Sequence, residues 1–398
     1  GCLALLLGLV HAWLVSIVYA IVPDPYMDEL FHIDQTRRYC NGNLTWNPMI
    51  TTPPGLYLIA LPLCGVERYT NSLLFPLLFL AACRFRSQYS SSIVLPCLTS
   101  LSLPVLLHSS VLFYTDPLSL LLTLLSFPLS PLPSSFFFLL SLFVRQTNII
   151  WAFLYAGVYF FSHLDPLHIV SSSKSSLHSL IPFILLGLSF LSFLFWNDFK
   201  IVLGDASAHQ PVLHLPQVAY FYAFSSVHSW PLLLPLFPRI LPRCLSPSFF
   251  LLLLSISLSS VFFSFAHPYL LADNRHIPFY VYRRFLSSPA LRCLLSPLFS
   301  LSLVTVSLSS SHLPRYQRLL FLLSLILTLV PAHLLEFRYF ITPFVLWILS
   351  LPSNNYSSFS FILHILSNIC VFTFVFLLFL FKPFEWANEP STLQRFMW

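Results

Sequence analysis

Charge is what this sequence has least of. Asp, Glu, Lys and Arg supply 8% of its 398 residues, against about 25% in a soluble globular chain. So few ionised side chains cannot coat a water-soluble domain of this length, and the mean hydropathy of +0.82 agrees. The deficit excludes a cytosolic enzyme, a disordered chain and a nucleic-acid reader; Lys and Arg stand singly or in short groups and form no basic stripe. The alternating strands with polar lumen positions that a membrane barrel needs are missing. The eight cysteines (2, 40, 64, 83, 97, 244, 293 and 370) include no CxxC and no Cys/His spacing suited to zinc. Only Cys40 lies in a clearly extramembrane stretch, so no disulfide framework is expected. No repeat of fixed period is visible. The chain lacks an initiator Met, which suggests a truncated or processed start. The apolar stretch Cys2 to Val22 lacks a basic n-region and ends in Val22-Pro23-Asp24, so it reads as a first transmembrane helix and not as a removed signal peptide.

What is there is hydrophobic: 57% of the residues. Apolar runs cover 3–22, 53–64, 69–83, 91–113, 117–132, 135–161, 178–199, 212–235, 249–266, 287–308, 317–333, 339–351 and 360–381. Some are short of a full span and 53–64 with 69–83 reads as one broken helix, so the expected fold is an all-α polytopic membrane protein with about 11–13 transmembrane helices. The 32 prolines, many of them inside these runs, predict kinks. Acids cluster at Asp24, Asp28, Glu29 and Asp34, whereas the next short connection, Arg84-Phe85-Arg86, is basic. The positive-inside rule places Arg84–Arg86 in the cytoplasm and Pro23–Pro54 on the far side. The sequons Asn43-Leu44-Thr45 and Asn355-Tyr356-Ser357 are weak hints of lumenal exposure.

Polar islands carry the chemistry. Pro23 to Tyr39 reads as a helix outside the membrane core, with Asp24 as N-cap and Pro25 at its first position. At 100° per residue Asp28, His32 and Gln35 share one face, and Glu29 sits one step around. Acids in a first turn also simply suit the helix dipole. A metal held by Asp28, Glu29 and His32 would need further ligands from elsewhere, and none is expected.

The run Tyr26-Met27-Asp28-Glu29-Leu30-Phe31-His32, with Gln35, Arg38-Tyr39-Cys40 and Trp46 to Tyr57, resembles the dolichyl-phosphate-glucose-dependent α-1,2-glucosyltransferase family of asparagine-linked glycosylation. The resemblance recurs in order at Tyr114-Thr115-Asp116, Arg145 to Trp151, Gly204 to Gln210 and His214-Leu215-Pro216-Gln217. It continues at His267 to His276, Phe279-Tyr280 with Arg283-Arg284, Glu336 to Ile341 and Gln394 to Trp398. Departures are a short 64–70 connection, Asp34, Pro54 and Pro278.

The resemblance implies a GT-C type glycosyltransferase in which 1–398 is a single transmembrane domain with short lumenal loop helices. The lumenal first loop, 23–54, would bear the catalytic acid. Such an enzyme sits as a multi-pass protein in the endoplasmic reticulum membrane with its active site facing the lumen. Its partners are dolichyl phosphate glucose, the dolichyl-diphosphate-linked oligosaccharide and membrane lipid. It would add the terminal α-1,2-glucose to the diglucosylated acceptor with inversion. The leaving phosphate is the anion of a strong acid, so one carboxylate base is enough: Asp28, with Glu29 as secondary or alternative base. A glycoside hydrolase, with its poor leaving group, needs two carboxyls. Arg275, His276 and Arg338 suit the donor phosphate, although Arg338 equally suits an ion pair with Glu336. Arg283 and Arg284 read as topology markers. Arg145-Gln146-Thr147-Asn148 is either functional or a helix–helix hydrogen-bonding island. His32, Gln35, Trp46, Asn47, Asp205, Ser207 and His209 are candidates for the sugar acceptor, with loop capping an alternative for Asp205 and Ser207. No cofactor is expected. Alternatives are a related transferase with another donor or acceptor, or a polytopic lipid or sugar transporter.

Overall fold

The computed structural model describes residues 1–206, 209–352, 356–387 and 389–398. Ser207 and the sequon residue Asn355 lie outside the described residues. Helices dominate. Among the described residues the named strands form one antiparallel hairpin, Phe384–Trp386 with Glu389–Gln394.

The apolar runs fold as helices but are more often interrupted than their composition suggests. Among the described residues, three helices are long and apolar enough to cross a membrane: Cys2–Ile21, Pro289–Ser309 and Ser358–Phe381. The number rises to six if each of three bent pairs counts as one span. Those pairs break by 68° between Val94–Leu101 and Pro104–Val111, by 57° between Ile169–Ser179 and Ile181–Trp196, and by 97° between Trp230–Cys244 and Pro247–Phe262. In each pair a proline stands at the first or second position after the break, where its missing N–H costs no helical hydrogen bond. Asp116–Ser126 and Pro131–Leu142 are shorter apolar helices, so among the described residues the continuous helices of full spanning length are fewer than the about 11–13 transmembrane helices expected, some of which read as short or broken.

The chain divides into two compact units. The first comprises Gly1–Gln88, Ser109–Ala208 and Leu313–Ser324. In it Cys2–Ile21 packs on Tyr69–Arg86, which packs on Asp116–Ser126, followed by Pro131–Leu142. Leu5 and Leu9 of the first helix are exposed on the apolar outer face, while Val15 and Val18 are buried. His11 is buried between the hydroxyls of Ser72 and Ser110, 2.9 Å from each, which satisfies an imidazole that would otherwise be costly in lipid.

The second unit comprises Tyr89–His108, His209–His312 and Leu325–Trp398. Pro216–His228 and Pro247–Phe262 both pack on Pro289–Ser309, and Val94–Leu101 packs on Ile341–Ser350 and Ser358–Phe381. A buried chain of hydrogen bonds links His228 to Asn368 at 3.1 Å and Asn368 to His364 at 2.9 Å. The end of the chain returns to the Asp273–His276 island, where Met397 forms a parallel bridge to His276.

Candidate active site

The first loop folds differently at its start from the sequence reading. The helix begins at Glu29, not near Asp24, and runs Glu29–Cys40 with Asp28 at its N-cap. Pro23 to Tyr26 is non-helical, and Arg68 donates to Val22 O just before it at 2.6 Å and to Asp24 O within it at 2.9 Å. Between Tyr26 and Asp28 the chain turns through Met27 at φ +57°. A non-glycine residue in that left-handed region costs about 1–3 kcal/mol and persists only where its surroundings hold it.

What holds it is Glu29. This residue is fully buried, and its carboxylate accepts from Tyr26 N at 3.1 Å, Phe113 N at 2.6 Å and two guanidinium nitrogens of Arg68 at 2.9 and 2.7 Å. Arg68 is itself fully buried and lies over the Tyr19 ring, 4.9 Å from its centroid. Removing one partner of such a pair strands a charge in a low-dielectric site, a loss of about 3–5 kcal/mol. Both oxygens of Glu29 are therefore committed to structure. Asp28 remains half-buried at the turn.

His32 and Gln35 lie on the same helical face, as the spacing predicts. His32 Nδ1 is 2.8 Å from the Tyr57 hydroxyl, which is also 3.2 Å from Thr52 Oγ1. Tyr114 meets the His32 ring edge-on at 6.2 Å. Gln35 is completely buried and works as a pin: its Nε2 donates to Thr45 O at 2.9 Å and its Oε1 accepts from Asn47 N at 2.8 Å. It holds the segment that presents Trp46 and Asn47, both half-buried, instead of presenting its own amide. Trp46 lies against Tyr57, with ring centroids 6.0 Å apart.

Two further segments close on this loop. Gln146 Nε2 and Leu203 N both donate to Thr51 O, at 2.9 and 3.1 Å. Gly55 N donates to Phe143 O at 2.7 Å, an approach that a Cβ at Gly55 would block. Gly204 has φ +61°, and a Cβ there would overlap the carbonyls of Pro48 and Ile50. Asp205 is thus carried beside the first loop, half-buried. His209 belongs to the second unit and is exposed. Arg145 pairs with Asp116 at 3.1 Å and donates to Thr115 at 2.9 Å, while Asn148 bonds Ser119 at 2.9 Å, so this island does knit helices together.

One expectation fails outright. Cys40 is not alone: it forms a disulfide with Cys64, their Cα atoms 6.3 Å apart. The run 53–64 does not span. It folds as the short helix Gly55–Ala60 and a single 3₁₀ turn, Leu61–Leu63, which leaves Cys64 exposed at the end of the loop. The adjacent Glu67 binds Arg37 at 2.9 Å. Burial alone would raise the Glu67 carboxyl, but Arg37 and the Gly65 N–H hold it below the usual carboxylate range. Glu67, Arg68, Cys64 and Tyr57 escaped the sequence reading. The available signal, for Glu67 and Arg68, was an adjacent pair of opposite charges in the four-residue gap between apolar runs 53–64 and 69–83.

In the second unit the candidate phosphate ligands separate. Arg275 is spent internally. It grips Asp273 with two nitrogens at 2.8 and 2.7 Å, donates to Gln394 at 2.9 Å and lies over Trp386 at 4.5 Å. His276 Nδ1 is 2.9 Å from the Trp398 carbonyl oxygen. Arg338 pairs with Glu336, and both side chains remain partly exposed, at 16% and 15%. Phe337 beside them packs on Phe224 and Trp398. Burial alone would raise the Asp273 carboxyl, but Arg275 and His276 bring it below its ordinary 3.8. Its contribution to stability is therefore full above 3.8 and fades as pH falls through the lower folded value. Arg275→Lys is expected to lower the thermal midpoint while changing donor KM by less than about two-fold, because Lys cannot reproduce the fork; a large rise in donor KM would return Arg275 to the binding site.

Among the described residues, no group of three or more His, Cys, Asp and Glu is placed to hold a metal ion. Glu29 is engaged by Arg68 and His32 by Tyr57, so the conceivable Asp28–Glu29–His32 ligand set is not assembled.

Comparison with known proteins accounts for these motifs together. The profile of the DIE2/ALG10 family matches residues 22–176 and 165–349. The Dol-P-Glc:Glc(2)Man(9)GlcNAc(2)-PP-Dol alpha-1,2-glucosyltransferase of Homo sapiens is 34% identical, over 98% of this chain and 96% of its own length. Proteins of that name from Mus musculus and Arabidopsis thaliana are 33% and 31% identical, each over 96% of its own length. No solved structure matches. With profile and relatives agreeing over nearly its whole length, the chain belongs to the DIE2/ALG10 family.

Proposed function

We propose that this membrane protein transfers glucose from dolichyl phosphate glucose to the diglucosylated dolichyl-diphosphate-linked oligosaccharide, forming its terminal α-1,2-glucose. The observation that carries this reading is the match to transferases of that name along 98% of the chain. Asp28 takes the proton of the acceptor hydroxyl as that oxygen attacks the anomeric carbon opposite the phosphate. Supporting Asp28 over its neighbour Glu29 is that Arg68 and two backbone N–H groups engage the Glu29 oxygens. For the donor phosphate the candidate in the second unit is Arg338, partly exposed and paired with Glu336. Trp46, Asn47 and Asp205, brought to one loop cluster, offer an aromatic face and polar groups to the acceptor sugars, beside the His32–Tyr57 pair.

The test supplies purified protein with both lipid-linked substrates and looks for the triglucosylated product. The product forms in excess EDTA, because a monophosphate leaving group can be held by arginine without a divalent cation. Activity abolished by EDTA and restored by Mg²⁺ or Mn²⁺ would remove this assignment of the phosphate to protein side chains.

The multi-pass reading, with the first loop in the lumen, has two supports. The Cys40–Cys64 disulfide suits an oxidising compartment. Helix Tyr69–Arg86 leads away from that loop and ends in Arg84 and Arg86, the basic end expected in the cytoplasm. On sealed microsomes a membrane-impermeant reductant leaves the disulfide intact until detergent is added. Reduction without detergent would invert the orientation.

A further inference from the structure

We infer that Arg68 is a positioning residue for Asp28: its buried guanidinium clamps the left-handed turn that presents the carboxylate, so that Arg68 acts on catalysis through Asp28 alone. The inference rests on the reading of Asp28 as base.

Three observations carry it. Arg68 reaches the chain on both sides of Asp28, taking Val22 O and Asp24 O before the turn and both oxygens of Glu29 after it. Glu29 in turn closes the turn by accepting from Tyr26 N. Between those fixed points lies Met27, with φ +57°, directly before Asp28. A turn of that kind relaxes once its restraints are cut. The clamp is also registered on the rest of the unit, through Phe113 N on Glu29 and the Tyr19 ring beneath the guanidinium. The planar fork matters as well as the charge. Lysine keeps the charge but cannot serve two carbonyls and both carboxylate oxygens at once.

The experiment is a double-mutant cycle on the full-length purified protein. Turnover and donor KM are measured separately, and folding is checked by size exclusion and by retention of the Cys40–Cys64 disulfide. Arg68→Lys is expected to lower kcat at least ~10-fold, the scale of a small misplacement of a reacting group. Donor KM stays within about two-fold, since the change does not reach uniform binding. In an Asp28→Asn background the same substitution costs less than about two-fold, because the group it positions is already gone. Arg37→Gln, which breaks the pair between half-exposed Arg37 and buried Glu67 on the same loop, is the control: its cost falls on folded yield, and kcat per folded protein stays nearly unchanged. Should Arg68→Lys fail to fold, Tyr19→Leu removes the ring beneath the guanidinium without touching the ion pair, and the cycle is run with it. Equal losses in both backgrounds, or no loss in either, overturn the clamp while leaving the base in place. Near-normal turnover in Asp28→Asn overturns the base reading, and the clamp with it.

Discussion

Asp28→Asn lowers glucose transfer at least ~10²-fold, the low end for a lost general base, and leaves donor binding unchanged. The substitution keeps the shape of the N-cap and removes the proposed proton acceptor. Helix Glu29–Cys40 survives it, because no side-chain cap hydrogen bond is made by Asp28 and its carbonyl still accepts from Phe31 N and His32 N at 3.1 Å. The neighbouring acid behaves in the opposite way. Glu29→Gln leaves the buried Arg68 charge without its counter-ion, so its loss shows first as a smaller folded yield. The measurement is single-turnover transfer by each purified variant, normalised to folded protein. Near-normal turnover in Asp28→Asn with loss in folded Glu29→Gln would move the base by one residue. Near-normal turnover in both would take the loop out of the chemistry.

Arg338→Gln lowers kcat/KM for the donor by roughly 10²-fold, the scale of removing one donor to a developing anion. Arg338→Lys recovers part of it, since the charge remains and the fork is lost. The pair with Glu336 keeps Arg338 oriented while about a sixth of its side chain stays exposed. The contrast is Arg275, whose contacts to Asp273, Gln394 and Trp386 use the fork internally. Kinetics with varied donor at saturating acceptor decide the matter. Unchanged kcat/KM with a lower thermal midpoint would leave Arg338 as an ion-pair residue only.

Much of this protein is legible without coordinates, because membrane solvation acts on composition directly. With 8% charged residues, lipid-embedded helices are the remaining solution, since only intrachain hydrogen bonds can satisfy the backbone there. The face shared by His32 and Gln35 follows from helical period alone, whereas Asp28, expected on the same helix, stands at its N-cap. Family membership follows from ordered motifs. The helix breaks were harder to place: proline marks many sites, but whether one bends, begins or merely kinks a helix depends on the packing around it. Pro76 and Pro297 lie inside continuous helices, whereas Pro104 opens a helix after a 68° bend.

What the tertiary structure alone decided is which partners several equivalent charges take. Asp28 and Glu29 are adjacent acids, and periodicity only turns them about 100° apart. It is the arrival of Arg68 and Phe113, 39 and 84 residues away in sequence, that commits Glu29 to the fold. Likewise Arg275 and Arg338 each stand two residues from an acid, yet it is Arg275 that Trp386 and Gln394, more than a hundred residues away, close over. Cys64 becomes a partner for Cys40 only because an apolar run that reads as half of a broken span ends instead in an exposed turn. Local pattern follows from steric and solvation rules acting over a few residues. The assignment of partners depends on which distant segments the fold brings within hydrogen-bonding range, and no local rule encodes that.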